Sequence, residues 1–459
     1  MVTPLDVASY NEGSMPKMIV LKNALFRNVQ CSFYPLQVFR HTNRKYYSTQ
    51  EAYMSAWQIH QYGGPEQLKL YNTVEIPTVQ RPWDVLVKVH AASINPIDGM
   101  MLGGYGAATM NAFRRLTCSF SEKNEFPLIL GRDFSGVVVA TGKAIPQSKF
   151  KPGDEVWGAG DPWRQGAFAE YTVVNALQIS HKPKQLGHTD AATMPYVGAT
   201  CWSALCTLGT FAASQHDWKE HVEAKTSRSQ SLFQSTSSFS VQLQQTTQPS
   251  LALVIGGSGG IGTFSIQLLK AWGAEVTSTC AGDAVMKVLE LGADIALDYT
   301  KEDVFLELKR LPQFDLILDA VDDNSEQCMP LLKKYANARY ITLKTPFLRN
   351  NDDSLFPLGL IKTGITLGTH NIKALQQGQT YRWGLFMPNG YAMKQIAELV
   401  DAGKILPVIE KVYPFSKLSS GLEKVATKHN RGKSVLDVSD QHVDVQHEEP
   451  EQQHAQANT

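Results

Sequence analysis

The segment Val254-Ile-Gly-Gly-Ser-Gly-Gly-Ile-Gly262 gathers residue types that can hold a diphosphate. Gly257, Gly259 and Gly262 satisfy G-x-G-x-x-G. In that pattern the first glycine permits a tight turn, the second lets backbone approach a pyrophosphate, and the third allows a helix to pack closely on a strand. Ser258, Gly260 and Ile261 are expected to meet the diphosphate through N–H groups or a hydroxyl, at a helix N-terminus whose partial positive charge favours an anion. The flanks support this: an apolar run, Leu251 to Ile255, leads in, and Ile261, Phe264, Leu268 and Trp272 follow at helical spacing. The next strand-like run ends Thr277-Ser-Thr-Cys280, without the acid that usually holds a ribose 2′-hydroxyl. A 2′-phosphate would not be repelled there, which favours NADPH over NADH. Asp283 works against that preference, and Lys287, one helical turn on, compensates.

Three polar residues far upstream are candidates for the chemistry. Asn95, in Asn95-Pro-Ile-Asp98, has an amide that can donate to a developing oxyanion without changing charge. The alternative is that Asn95-Pro96 shapes a turn. Asp98 is either part of the site or a cap on the segment that follows. Tyr105, in Gly103-Gly-Tyr-Gly106, either lines a substrate cleft or sits on a surface loop. No metal centre is expected. The six cysteines are scattered without C-x-x-C, and His429 has no partners at ligand spacing. The formal net charge is zero, which gives no footprint for nucleic acid.

These residues need scaffolds. Strands are expected at Leu251–Ile255, Val276–Cys280, Ile295–Asp298, Phe314–Asp319, Tyr340–Leu343 and Ile365–Thr369, with helices between most of them, such as Asp283–Leu291 closed by Gly292. Such βα alternation specifies an α/β fold, a doubly wound parallel sheet of about six strands. From Met54 to Val174 the pattern changes to short apolar strands cut by Gly, Pro and Asn, which implies a largely antiparallel β domain. A cleft between the two is the natural place for a small-molecule site. The expected organisation is a presequence over 1–50, a β domain over 51–190, the nucleotide-binding domain over 191–384, a return segment over 385–438 and a disordered tail over 439–459. Met18 to Gln50 holds no acid but several Lys and Arg, as mitochondrial presequences do, with Arg44-Lys-Tyr-Tyr-Ser48 as a cleavage region. Residues 211–250, rich in Ser, Gln and Thr from about Lys225, form an expected flexible insertion. No apolar run reaches membrane-spanning length.

The motifs occur in an informative order. Asn95-Pro-Ile-Asp98 is followed by Gly131-Arg-Asp-Phe-Ser-Gly136, Gly153-Asp-Glu-Val-Trp-Gly158, Gly166-Ala-Phe-Ala-Glu-Tyr171, Met194-Pro-Tyr-Val-Gly-Ala-Thr200, the glycine turn, and Leu291-Gly-Ala-Asp294. Over about Met54 to Val438 the chain resembles the quinone oxidoreductase branch of the medium-chain dehydrogenase/reductase superfamily. Arg382-Trp-Gly-Leu-Phe-Met387 and Tyr413-Pro-Phe-Ser416, with the presequence, make it similar to a mitochondrial group within that branch. The resemblance implies a GroES-like β-barrel completed by the return segment, and a Rossmann domain carrying NADPH. It implies hydride transfer to a quinone-type acceptor, with a link to ubiquinone metabolism. It also implies a matrix location, a homodimer and a reticulon-type membrane-protein partner. Zinc-dependent relatives carry Gly-His-Glu where this chain has Gly131-Arg132-Asp133, so metal-free chemistry is expected. Carried over position by position, Thr200, Tyr299, Leu343, Tyr381, Trp383, His429, Asn430 and Arg431 resemble cofactor-side residues. Three features depart from the family: Ala281 replaces a serine expected at the 2′-phosphate, with Ser278 or Thr279 as substitutes; Asp322 and Asp323 stand where relatives are neutral; and the insertion is foreign. Two other readings stay open: an enoyl-thioester reductase, and a cofactor-binding interaction protein with little turnover.

Overall fold

The computed structural model describes residues 53–118, 124–209, 249–301, 303–354, 356–427 and 429–439. The expected presequence, nearly all of the insertion and the tail beyond 439 lie outside the described residues. Among the described residues, sixteen strands fall in three sheets. In chain order they are β1 (Tyr53–Ile59), β2 (Lys69–Glu75), β3 (Asp84–Ile94), β4 (Leu128–Ile129), β5 (Asp133–Thr141), β6 (Glu155–Ala159), β7 (Tyr171–Asn175) and β8 (Ile179–His181). There follow β9 (Leu251–Ile255), β10 (Glu275–Cys280), β11 (Ile295–Asp298), β12 (Leu316–Asp319), β13 (Ala338–Thr342), β14 (Gln379–Trp383), β15 (Ile409–Pro414) and β16 (Lys433–Asp437).

The nucleotide-type lobe is a parallel sheet in the order β11-β10-β9-β12-β13-β14. Its strands are apolar on both sides because both faces are covered. Within β9, Ala252 and Val254 face one core, packed with Phe264, Leu268 and Leu269 of the helix Gly260–Ala271. Leu253 and Ile255 face the other, with Ile317, Tyr340 and Tyr381. The chain leaves β9 toward β10 on one side and later returns to β12 on the other. The carboxyl end of β9 is therefore the switch point, where open α/β sheets bind ligands.

The sixth strand is not the one expected. Ile365–Thr369 lies inside a helix, Phe356–Leu375, and β14 takes the strand's place. The β-branched cluster Ile365-Thr-Leu-Gly-Thr369 suggests a strand locally. Apolar residues at 358, 361, 365, 372 and 375 recur at helical spacing and decide the outcome. The turn into β14 is made at Gly378, φ 62°, where a Cβ would fall 2.5 Å from Tyr335 Cα. The strand itself then alternates, with Gln379, Tyr381 and Trp383 turned inward.

The other lobe is antiparallel except for the parallel pair β15–β16. Its long strand β3 pairs with β5, β7 and β16, around a core containing Val85, Val87, Phe134, Phe168 and Leu436. β15 and β16 come from the end of the chain. Ser434 pairs with Ile94, so the next positions in register, Lys433 and Asn95, lie side by side. An ion pair pins the base of this lobe: Arg164 Nη1 and Nη2 donate to Asp84 Oδ1 and Oδ2 at 3.0 and 2.8 Å, and both side chains are buried. Removing one partner of such a pair strands the other charge. Arg164→Leu is expected to lower the unfolding free energy by about 3–5 kcal/mol in urea titrations, whereas a change within 0.5 kcal/mol, roughly that of a surface substitution, would mean that Asp84 is resolvated without loss.

Candidate active site between the two lobes

The glycine turn has the shape that a diphosphate requires, with its roles distributed differently from the expectation. The left-handed residue is Gly256, φ 84°, not Gly257. Gly257 is needed because a Cβ there would fall 2.0 Å from Ser278 Oγ, and Gly262 because a Cβ would fall 2.1 Å from Gly256 O. Gly259, the residue ahead of the helix Gly260–Ala271, meets nothing closer than 3.7 Å, so its surface is open to a ligand. The N–H groups of Gly260 and Ile261 start that helix and have no acceptors a turn back. Ser258 sits in the same turn, largely buried.

Beyond the ends of β10 and β11, four residues converge. Arg431 Nε and Nη2 donate to Asp283 Oδ2 and Oδ1 at 2.9 and 2.8 Å. Lys287 Nζ donates to Arg431 O at 2.6 Å. Tyr299, half-exposed after β11, lies within electrostatic range of Arg431. The Arg431 hydrogen bonds hold the Asp283 carboxyl below its usual range. The acid that threatened an anionic ligand is thus paired with Arg431, and Asp298, at the end of β11 beside Gly282, has Lys301 at 3.5 Å. Neither substitute for the serine missing at Ala281 reaches this place. Ser278 is fully buried and its hydroxyl donates to Val254 O at 2.9 Å, and Thr279 is buried beside the turn. Ser278 supports the turn from beneath. His429 is exposed, its carbonyl accepting from Lys424 Nζ. Asn430 Nδ2 donates to Val425 O at 3.2 Å, while its buried Oδ1 has no partner among the described residues.

The acids after β12 are engaged. Asp319 is fully buried and accepts from Val321, Asp322 and Asn324 N–H, Asn324 Nδ2 and the Tyr340 hydroxyl. Asp322 pairs with Lys344. Asp323 accepts from the Tyr381 hydroxyl at 2.8 Å, and Trp383 Nε1 donates to that same hydroxyl at 3.1 Å. Tyr381 is also sandwiched between Tyr340 and His370, with ring centroids at 5.6 and 4.5 Å. Packing and these bonds fix the positions of Tyr381 and Trp383. Leu343 ends β13 half-buried, its N–H donating to Asp319 O. Thr200 is buried, with its hydroxyl donating to Tyr196 O one turn back on its own helix.

At the junction of the lobes lies a buried polar network. Lys433 Nζ donates to Asn95 Oδ1. Asn95 Nδ2 donates to Asp133 Oδ1 at 2.9 Å and Ser93 O at 3.3 Å, so both amide hydrogens are used. In this arrangement the Asn95 amide positions its neighbours. Asp133 Oδ2 accepts from the Ser93 hydroxyl and from Tyr196 N–H across the lobe boundary. Asp98 does cap the segment after Asn95, through Asn95 N–H to Oδ2 at 2.8 Å, and also accepts from Gly131 N–H through Oδ1 at 3.2 Å. The Lys433 stem runs across Gly260, where a Cβ would fall 2.9 Å from Cδ. Burial pushes the Asp133 carboxyl up and the Lys433 ammonium down, and each is the largest counterweight to that push on the other. Tyr196, its ring stacked on Phe386 at 4.4 Å, and Tyr105 lie within electrostatic range of one another, and burial raises both hydroxyls above the usual phenol range. Lys433, Asp133 and Tyr196 were not singled out from sequence. The signal for Lys433 was the pairing of its strand with the Asn95 strand, which no local pattern reveals.

The donor set does not suit zinc. Arg132 stands where zinc enzymes carry their histidine, fully buried, with its guanidinium donating to Ile129 O, Asp161 O and Arg164 O. No group of three His, Cys, Asp or Glu converges among the described residues. The residues do suit a nicotinamide dinucleotide: an open glycine turn at a helix N-terminus, with a cationic cluster at the end of the neighbouring strands.

A GroES-like lobe joined to a Rossmann-type sheet defines the class: a medium-chain dehydrogenase/reductase. Residues 81–184 match the family described as alcohol dehydrogenase GroES-like domain, and residues 291–436 the family described as zinc-binding dehydrogenase. The solved quinone oxidoreductase from Coxiella burnetii is similar at a TM-score of 0.62 and 26% identity, over 84% of this chain and 99% of that one. The human protein named NAD(P)H oxidoreductase RTN4IP1, mitochondrial, is 41% identical over 428 residues, 92% of this chain and 100% of the relative. Its mouse counterpart is 43% identical over 392 residues, 85% of this chain and 91% of the relative. The chain belongs to this RTN4IP1 family of NAD(P)H oxidoreductases.

Burial, opposed chiefly by Arg132, holds the Asp98 carboxyl up at about 6. Its folded value thus exceeds the ordinary unfolded value of about 3.9. Between about pH 4 and pH 6 the unfolded chain gives up this proton first, so this contribution to stability falls as pH rises, by on the order of 2–3 kcal/mol in all. The stability difference between Asp98→Asn and the natural chain is expected to shift toward the variant across that window and level off above it, in urea unfolding at a series of pH values. A difference that ignores pH would show that this carboxyl titrates normally.

Proposed function

We propose that this protein is a mitochondrial matrix reductase that uses NADPH to reduce a quinone-type acceptor, without a metal, in a reaction linked to ubiquinone metabolism. The observation that carries the proposal is the pairing of an open phosphate turn and an Arg431-centred cationic cluster with a buried polar network facing them from the other lobe. The relatives' names, which say mitochondrial and NAD(P)H oxidoreductase, support the compartment and the cofactor class. The quinone oxidoreductase title of the Coxiella burnetii structure supports the acceptor class.

The bound dinucleotide supplies the hydride. Ser258, Gly260 and Ile261 would hold its diphosphate; Arg431, Lys287 and Tyr299 would receive the 2′-phosphate; and Leu343 would lie on the nicotinamide side. The Lys433 stem lies on Gly260 while its ammonium holds the Asn95 amide, so diphosphate binding and the geometry of the catalytic lobe are set by one side chain. A quinone is already electrophilic and requires only orientation, exclusion of water and a proton at the new phenoxide. The hydroxyls of Tyr105 and Tyr196, which lie within electrostatic range of one another, are the proposed donors. A homodimer and a reticulon-type membrane-protein partner complete the reading. An interaction protein with little turnover stays the second reading through the reticulon connection; the acidic pair adds less to it, because Asp322 pairs with Lys344 and Asp323 accepts from Tyr381.

Purified protein lacking residues 1–50 is expected to oxidise NADPH when given a panel of quinones, and to do so faster than with crotonyl-CoA. Absence of oxidation above background with every acceptor would overturn the reading, and faster crotonyl-CoA reduction would move it to the enoyl-thioester reductases. Arg431→Leu is expected to weaken NADPH binding about tenfold or more and leave NADH nearly unchanged, by fluorescence titration, given roughly 1.5–3 kcal/mol for a hydrogen bond to a charged group. Equal weakening of both cofactors would remove Arg431 from the 2′-phosphate.

A further inference from the structure

The helix Phe356–Leu375 carries an apolar face that turns away from the protein. Gly359, Thr363 and Ala374 point inward: Thr363 and Ala374 are buried, and a Cβ at Gly359 would fall 2.3 Å from Asn351 Oδ1. On the opposite side Leu358, Ile361, Ile365, Ile372 and Leu375 are 57, 60, 63, 63 and 62% exposed. Their spacing repeats every three or four residues, so they form one stripe along the helix. Gly364 and Gly368 fall beside it, and a Cβ at either would meet nothing within 4 Å. An exposed apolar strip of this length marks a docking face.

The charges identify the occupant. The twenty residues contain no Asp or Glu. The only formal charges are Lys362 and Lys373, both exposed on one flank of the stripe and without an ion-pair partner among the described residues. A second copy of the helix would bring like charge to like charge, with no acid to fix the pairing. Five apolar side chains also fall well short of the roughly 20–30 residues a side that stable interfaces use. An anionic lipid surface is the complement on both counts. The apolar stripe enters the boundary between headgroups and acyl chains, and the lysine stems reach back to the phosphates. No described helix is long and apolar enough to cross a bilayer. We infer that the Phe356–Leu375 helix lies in the plane of an anionic phospholipid membrane and docks the protein on it.

The test is co-sedimentation of the full chain with vesicles of phosphatidylcholine alone or mixed with phosphatidylglycerol, beside light scattering without lipid. Binding is expected with the anionic vesicles, weakened by salt, and reduced by about tenfold or more in Ile361→Gln/Ile365→Asp. Lys362→Ala/Lys373→Ala is expected to abolish the preference for phosphatidylglycerol. NADPH titration of each variant checks that the fold is intact, since the helix face is remote from the glycine turn in sequence and exposed. No sedimentation with anionic vesicles, or equal sedimentation of the Ile361/Ile365 variant, would overturn the inference. A dimer that the same variant dissolves, with no vesicle binding, would assign the face to a second copy. None of these outcomes depends on which acceptor the enzyme reduces.

Discussion

The contact on which the rest of the structure depends is the buried ammonium of Lys433. It lies among Asn95, Asp133 and Asp98, with Arg132 close by, so two cations and two acids share a dry space. Isolated charges in such a place are prohibitively unfavourable, and this set persists because nearly every polar atom is occupied. Each member comes from a different part of the chain: Asn95 and Asp98 from the end of β3 and the turn beyond, Asp133 from the start of β5, and Lys433 from β16. The network can form only when the last strand has paired with β3. The end of the chain is therefore part of the site's assembly as well as a cover for the barrel.

The two sheets solve different problems around that point. The parallel sheet, covered on both faces, leaves its carboxyl edge as the one place where backbone donors are available to an anion. The antiparallel lobe supplies side chains from strand ends, held by hydrogen bonds to backbone. Several contacts join them, among them Tyr196 N–H on Asp133, the Lys433 stem on Gly260, the Arg431–Asp283 pair and Asp352 beneath the Tyr105 loop.

Much of the phosphate turn was legible in the sequence, because glycines at that spacing, set between an apolar run and a helical period, suit a strand, a tight turn and a helix start and little else. Its details were not. That Gly256 takes the left-handed conformation and Gly257 makes room for Ser278 depends on how β10 lies beside β9. The alternating strands of the parallel sheet were readable up to β13. Beyond it a helix with β-branched residues read as a strand, and the true edge strand, Gln379–Trp383, was hidden by its polar and aromatic composition. Lys433 lies 338 positions from Asn95, a separation that no periodicity bridges. The same holds for Arg431 and Asp283, whose meeting makes sense of an acid that on its own argued against a phosphate.

Asp352 follows β13, yet its carboxylate accepts from Gly106 N–H at 2.6 Å and from Ala108 N–H at 3.0 Å, and Asn351 Nδ2 reaches the Thr109 hydroxyl. The loop that carries Tyr105 is thereby fastened to the opposite lobe from the one whose chain it belongs to. If the halves swing apart, two charge-assisted bonds must break first, or the loop must travel with the half that grips it. The Tyr105 hydroxyl would then follow Asp352 and not the strand end that bears Asn95.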